Sequence, residues 1–169
     1  FLVVFATDPQ GGLGYPREIF GRITFLEAIG GAVASVVLGW MVDHHGPRWP
    51  WIGATLLLPV IMVLIGFGRQ PVILALCALL AGFFLTHWSV SAPALLEFSP
   101  PGDKSSYVAV ANLMAFVPAS LGPLLFGSLI QGAGYAAAFA VAALGGVVAV
   151  LPALSLPRRR GLEPPAALG

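Results

Sequence analysis

Three long stretches without formal charge place the tightest limits on the fold of this chain. No Asp, Glu, Lys or Arg occurs in residues 49–68, 70–96 or 105–157. A helix needs roughly 20 apolar residues to cross the hydrocarbon core of a membrane. The first two stretches are each long enough for one crossing, and the third is long enough for two. The chain is therefore predicted to pass through a membrane several times.

The composition supports a membrane protein and excludes several other classes. Of the residues, 58% are hydrophobic and 9% are charged, whereas a soluble domain usually carries about 25% charged residues. The net charge of +1 gives no reason to expect a nucleic-acid partner. The single Cys77 allows neither an internal disulfide nor a cysteine metal site. The expected partner is the lipid bilayer, and no metal and no cofactor are expected.

The apolar segments and the turns between them predict five complete transmembrane helices and part of another. The predicted spans are residues 1–7 (partial), 20–42, 50–68, 72–98, 106–130 and 135–156. The sequence Gln-Gly-Ala-Gly at 131–134 would join the last two spans as a hairpin. The alternating polarity of a membrane barrel is absent. The predicted fold class is an all-α polytopic membrane helix bundle over residues 1–157, and the chain is interpreted as a fragment because it begins with Phe1.

The distribution of basic residues predicts how the bundle is oriented. If the loops alternate sides, residues 43–49, 99–105 and the tail at 158–169 lie together and hold five basic residues, against three on the opposite side. Cytoplasmic loops of membrane proteins carry an excess of Lys and Arg. The sequence therefore predicts an integral protein of the plasma (cell inner) membrane with a basic, cytoplasmic C-terminal tail.

A charged motif occupies the turn after the second predicted span. Residues 39–48 read Gly-Trp-Met-Val-Asp-His-His-Gly-Pro-Arg. In this segment Gly39 permits close helix contact and Asp43 lies at a helix end. Gly46 supplies a tight turn, and Arg48 provides a permanent positive charge. Two further segments stand out, Glu-Phe-Ser-Pro at 97–100 and Gly-Pro-Leu-Leu-Phe-Gly at 122–127.

Together these three segments resemble the loop and helix motifs of the major facilitator superfamily. The turn is similar to the G-x-x-x-D-x-x-G-x-R signature, although His44 and Pro47 stand where basic residues are commoner. The resemblance implies the C-terminal half of a 12-helix transporter, from the end of helix 7 to helix 12. The other partner would then be the missing N-terminal half of the same protein, in a bundle that is monomeric when complete.

The resemblance also implies a function. Members of the family are secondary transporters whose two halves rock around a site near the middle of the bilayer. The expected activity is secondary active or facilitative transport of a small solute by alternating access, with a proton as the candidate coupling ion and no enzyme activity. The alternative is a non-transporting membrane scaffold or an inactive partial product. No Walker loop, H-E-x-x-H or G-x-S-x-G motif supports an ATP-driven pump or a protease.

The resemblance assigns a gating role to the motif turn. It implies that Asp43, Arg48 and Glu97 take part in a cytoplasmic charge network that latches the inward-closed state. Breaking such a pair as helices move would bias an equilibrium between two states. The alternative is a solvated surface pair, which contributes about 0–1 kcal/mol and has no gating role.

Glu27 is the only acidic residue well inside a predicted span. A charged side chain at a helix centre costs about 2.5–3.5 kcal/mol on insertion scales, so such a residue usually faces a cavity or a partner. Glu27 is a candidate proton acceptor and a candidate binding group for a cationic solute. Two other interpretations stay open, a position in a vestibule at headgroup level and a pair with Arg22.

Three other residues are candidates for the solute pathway. His87 lies near the middle of the 72–98 span, where it suits proton relay or hydrogen bonding to a solute. A hydrogen bond to a neighbouring helix is the favoured interpretation of His87. The neighbouring Trp88 is able to stack on an aromatic solute. Asn112 is expected first to join helices through its amide and only second to contact solute.

Overall fold

The computed structural model describes residues 2–87, 96, 99 and 103–155, and every regular element in these ranges is an α-helix. The helices are α1 (Leu2–Thr7), α2 (Ile19–His45), α3 (Arg48–Phe67), α4 (Pro71–Leu85) and α5 (Lys104–Ser155). By length and composition, α2, α3 and α5 are able to cross a membrane, and α4 is a shorter apolar helix. The predicted all-α fold class is confirmed. Trp88 and Glu97 lie outside the described residues.

The motif turn connects α2 to α3 through only two residues. Gly46 follows the last turn of α2 with φ at +76°, and its backbone N–H donates to the carbonyl of Val42 at 2.9 Å. This left-handed conformation is favourable for glycine, which has no Cβ to clash with the backbone. Pro47 precedes the first residue of α3, Arg48. The turn is therefore short enough to place the end of α2 and the beginning of α3 at the same end of the bundle.

Helix α5 consists of two helical parts separated at Gly134. This glycine has φ at +81° and ψ at +174°, which is not helical, and it lies inside the segment 131–134 predicted as a turn. The part after Gly134 runs antiparallel to α3. Its middle contacts α3 where Gly146 faces the ring of Pro59. Its end contacts the beginning of α3, because Arg48 Nη2 donates to the carbonyl of Leu154 at 2.7 Å.

Contacts between loops define the opposite end of the bundle. The hydroxyl of Tyr135 donates to Asp8 Oδ2 at 2.9 Å, and the hydroxyl of Tyr15 donates to the carbonyl of Arg69 at 3.1 Å. We call this the loop end, which contains residues 8–18, 68–70 and the Gly134 turn. The other end, which contains residues 46–48 and the end of α5, is called the motif end.

The largest hydrophobic core lies between α1, α2, α3, α4 and the second part of α5. The ring of Phe5 lies against Tyr135 and Phe139, with centroid distances of 5.1 and 4.9 Å. The first part of α5 is different, since side chains such as Leu113 and Met114 are largely exposed. Apolar side chains on such a surface are compatible with contact to lipid or to further helices.

The hydrogen bond between Tyr135 and Asp8 leads to a prediction about pH. The backbone N–H of Gln10, and second the Tyr135 hydroxyl, stabilise the carboxylate and hold the pKa of Asp8 below its ordinary value. A group with a lowered pKa in the folded state stabilises the fold at neutral pH, and this contribution is lost as the pH falls through that pKa. Tyr135→Phe should therefore lower the thermal midpoint at neutral pH, by an amount that shrinks below about pH 4.

Tyr15→Phe is the matched control for this prediction. It removes a hydroxyl of the same kind at the same end of the bundle, but the acceptor is the Arg69 carbonyl, which does not titrate. The effect of Tyr15→Phe on the midpoint should therefore stay constant over the same pH range. An effect of Tyr135→Phe that is equally constant would contradict the assignment to Asp8.

Candidate functional site

Helices α2 and α4 cross with their backbones in direct contact. A Cβ added at Gly82 would lie 1.9 Å from the carbonyl oxygen of Glu27, and one added at Gly30 would lie 2.1 Å from that of Leu79. Both distances are far below a van der Waals contact, so the crossing requires residues without side chains at these positions. Small residues allow the same close approach at other membrane helix interfaces. The crossing places α4 directly beside Glu27.

An open groove of about 440 Å³ lies along this crossing. Its lining residues are Thr24, Glu27, Ala28, Gly31, Ser35, Gly82, Leu85 and Thr86. Glu27 is half-buried and is the only ionisable residue among them. The structure therefore places the acidic residue that the sequence singled out on a cavity.

The hydroxyl residues of the groove were missed by sequence reasoning. Serine and threonine are common in apolar helices, so Thr24, Ser35 and Thr86 carried no signal individually. A signal did exist in the spacing of the lining residues on α2, because residues 24, 27, 28, 31 and 35 follow the three- and four-residue steps of one helix face. The contribution of Thr86 depends on the crossing of two helices and required the structure.

The hydroxyl groups of Ser35 and Thr86 use their protons on the backbone. Ser35 Oγ donates to the carbonyl of Gly31 at 2.9 Å. Thr86 Oγ1 lies 2.9 Å from the carbonyl of Gly82 and 3.3 Å from that of Gly31. A hydroxyl has one proton and two lone pairs. Both oxygens are therefore left as hydrogen-bond acceptors.

Among the described residues the carboxylate of Glu27 forms no hydrogen bond and no ion pair, either with Arg22 or with another side chain. The pair with Arg22 that the sequence left open is thus not formed among the described residues. The described lining combines one negative charge with three neutral hydroxyl groups, of which Ser35 and Thr86 donate to the backbone.

Of the other pathway candidates, His87 and Asn112 are not among the described lining residues. His87 follows Thr86 directly beyond the end of α4, but its ring stacks on Phe84 at 4.8 Å between centroids, and its Nδ1 contacts the Phe84 carbonyl. Asn112 is exposed on the first part of α5. Trp88 lies outside the described residues. Roles of these three residues in the solute pathway stay predictions.

At the motif end, the residues of the predicted charge network have different environments. Asp43 is exposed, whereas Gly46 is buried. Arg48 donates to the carbonyl of Leu154, and its buried Nε has no hydrogen-bond partner within the described ranges. Asp43 and Arg48 form no ion pair in these ranges, and Glu97 lies outside them. The network stays a prediction.

The close helix contact expected of Gly39 is not made within the described structure. A Cβ added at Gly39 would meet no atom within 4 Å. The close contact of α2 is made at Gly30 instead, nine residues earlier. Nine residues correspond to about two and a half turns of an α-helix, so Gly39 lies on the opposite face of α2 from the crossing.

The hydrogen bond from Arg48 leads to a second prediction. The carbonyls at the end of a helix carry partial negative charge, which a guanidinium stabilises. Arg48→Gln should therefore reduce the free energy of unfolding by roughly 1–2 kcal/mol, measured as a lower thermal midpoint. Arg48→Lys, which keeps the charge, should lose less than Arg48→Gln.

Arg22→Gln is the control for the loss of positive charge, because Arg22 is exposed on α2. It should leave the midpoint nearly unchanged. If Arg22→Gln and Arg48→Gln shift the midpoint equally, the bond to Leu154 contributes no stability.

The fold and the groove define a class of protein, an all-α integral membrane helix bundle with a polar cavity between two of its helices. The chain matches the family model of the Major Facilitator Superfamily over residues 1–168. It therefore belongs to the Major Facilitator Superfamily, as its motifs predicted. No curated protein and no solved structure matches the chain. Membership of this family makes the protein a membrane transport protein and speaks against an enzyme.

Proposed function

We propose that the protein moves a small solute across the membrane by alternating access, as a secondary active or facilitative transporter. The observation that carries this proposal is the groove between α2 and α4, in which Glu27 is half-buried on a predominantly apolar helix. A carboxylate in a membrane helix is costly. Its position on a cavity favours a role in binding solute or a coupling proton.

We further propose that the chain is the C-terminal half of the transporter and that the motif end faces the cytoplasm of the cell. The order of the three motifs supports the first statement. The position of Arg48 at the motif end, together with the basic sequence that follows α5, supports the second. In this arrangement Asp43, Arg48 and Glu97 would stabilise the inward-closed state, and the plasma membrane would be the location.

Alternating access is testable without knowledge of the solute. Ser35 lies in the groove, so Ser35→Cys in a Cys77→Ser background provides a unique thiol within this chain. In the full-length protein reconstituted in vesicles, a membrane-impermeant maleimide should label this thiol when applied from either side. Labelling reports that the groove opens in turn to both compartments.

Val36→Cys in the same background is the matched control. Val36 is the next residue of α2, is 74% exposed and does not line the groove. In the membrane this surface would face lipid rather than water, so a maleimide in water should label Val36→Cys poorly from both sides. Labelling of Ser35→Cys from one side only would favour the non-transporting scaffold. Saturable uptake of radiolabelled solutes, with and without an imposed proton gradient, then separates active from facilitative transport.

A further inference from the structure

We infer that the groove between α2 and α4 binds the protonated amino group of an organic solute, with Glu27 as its counter-charge. This inference rests on the proposed transport function and names the substrate class of that same site. It depends on three properties of the groove, namely its hydrogen-bonding character, its charge and its shape.

The first property is that three polar groups of the lining, those of Glu27, Ser35 and Thr86, are acceptors. The hydroxyl protons of Ser35 and Thr86 are directed to backbone carbonyls. The carboxylate of Glu27 is an acceptor by nature. A ligand that satisfies these three groups must supply the hydrogens, and a primary ammonium group carries three N–H donors on one atom.

The second property is the charge of the lining. Among the described lining residues Glu27 is the only ionisable one, so a bound anion would meet a negative charge and no compensating cation from them. A cation is attracted to the same carboxylate, and a charge-assisted hydrogen bond is roughly twice as strong as a neutral one. The groove therefore discriminates against carboxylate and phosphate solutes.

The third property is the shape of the groove, which fits an organic cation better than a metal ion. Calcium requires six to eight oxygen ligands at about 2.3–2.6 Å. Among the described residues no group of three or more His, Cys, Asp or Glu is arranged to hold a metal ion. The volume of about 440 Å³ lies within the range of small-molecule sites. Leu85 and Ala28 supply apolar surface for a carbon skeleton.

The positions of the acceptors predict how the solute lies. Ser35 and Thr86 are close together, since both hydroxyl oxygens lie within hydrogen-bond distance of the carbonyl of Gly31. Gly31 follows Glu27 by four residues, about 6 Å along the helix at 1.5 Å per residue. The ammonium group therefore binds at Glu27, and the rest of the solute extends along the groove towards Ser35 and Thr86.

The test uses four small aromatic probes and the full-length protein in lipid nanodiscs. Phenethylammonium carries the proposed group. Its comparators are 2-phenylethanol, which is neutral, 3-phenylpropanoate, which is anionic, and trimethyl(phenethyl)ammonium, which is a cation without N–H donors. Isothermal titration against empty nanodiscs removes the contribution of lipid partitioning. Phenethylammonium should bind saturably, the trimethylated cation at least about tenfold more weakly, and the alcohol and the anion without saturation.

Two variants assign the binding to the groove. Glu27→Gln should raise the Kd for phenethylammonium at least about tenfold. Glu18→Gln removes the same charge from an exposed residue outside the groove and should leave the Kd unchanged. Equal binding of phenethylammonium and phenylpropanoate, or equal Kd values for the two variants, would overturn the inference. The first of these comparisons uses the unmodified protein and so does not depend on the folding of any variant.

The outcomes also separate this inference from the proposed function. Two-sided labelling of Ser35→Cys without phenethylammonium binding would overturn the amine site and leave the transporter in place. Saturable binding of phenethylammonium with one-sided labelling would support the site and overturn alternating access.

Discussion

Gly82→Ala is expected to separate α2 from α4. Among glycine-to-alanine substitutions in the described helices, it should cause the largest loss of stability. The new Cβ would lie 1.9 Å from the carbonyl oxygen of Glu27. Both atoms are attached to helix backbone, so neither is able to rotate away. Overpacking of a core usually costs about 1–3 kcal/mol, and occasionally more, and this site should lie at or above the upper limit.

The measurement is the thermal midpoint of the purified protein, together with the fraction that is monodisperse by size-exclusion chromatography. Gly30→Ala should behave like Gly82→Ala, because its Cβ would lie 2.1 Å from the carbonyl of Leu79. The groove should be lost with the crossing, so both variants should also lose binding of phenethylammonium.

Gly66→Ala is the matched control for the crossing. Gly66 lies in α3, and an added Cβ there would meet no atom within 4 Å. Alanine is favoured over glycine in a helix by up to about 1 kcal/mol, so Gly66→Ala should raise the midpoint slightly. If Gly82→Ala and Gly66→Ala shift the midpoint in the same direction, the helices do not cross as described.

Glu27→Gln is expected to abolish the dependence of transport on pH. Each pH unit changes the ratio of protonated to ionised carboxyl about tenfold, so a transport step that needs one form of Glu27 should vary several-fold over a few pH units. Glutamine keeps the size of the side chain but does not titrate. The measurement is the initial rate of solute uptake into proteoliposomes over a range of external pH values.

Glu18→Gln controls for the loss of an acidic residue, because Glu18 is exposed and does not line the groove. Its pH profile should match that of the unmodified protein. An unchanged profile for Glu27→Gln would remove the role of Glu27 as the proton site. His87, which follows Thr86 just beyond the end of α4, would then be the next residue to replace.

Sequence reasoning reached the candidate site only in part. It identified Glu27, because a single charge among apolar residues is visible without any knowledge of the fold. The resemblance assigned Arg48 to a charge network, which stays a prediction, and gave no sign that its guanidinium donates to the carbonyl of Leu154, 106 residues away. Every residue has a carbonyl group, so nothing in the sequence distinguishes the one that Arg48 binds.

The amino-acid sequence by itself determined the class of this protein. Its lack of charges over membrane-length segments requires apolar surroundings, and a chain in lipid must satisfy its backbone hydrogen bonds internally, as helices do. The motif turn and its two companion segments indicated the family.

Only the tertiary structure decided which faces of those helices meet. Gly30, Gly39 and Gly82 are alike in the sequence, but only Gly30 and Gly82 lie at the α2–α4 crossing. The contact of Thr86 with Gly31 joins residues 55 positions apart. Nearly every face of these helices is apolar, so the hydrophobic pattern does not select a partner. The close approach of glycine backbones does, and it creates the groove that holds Glu27.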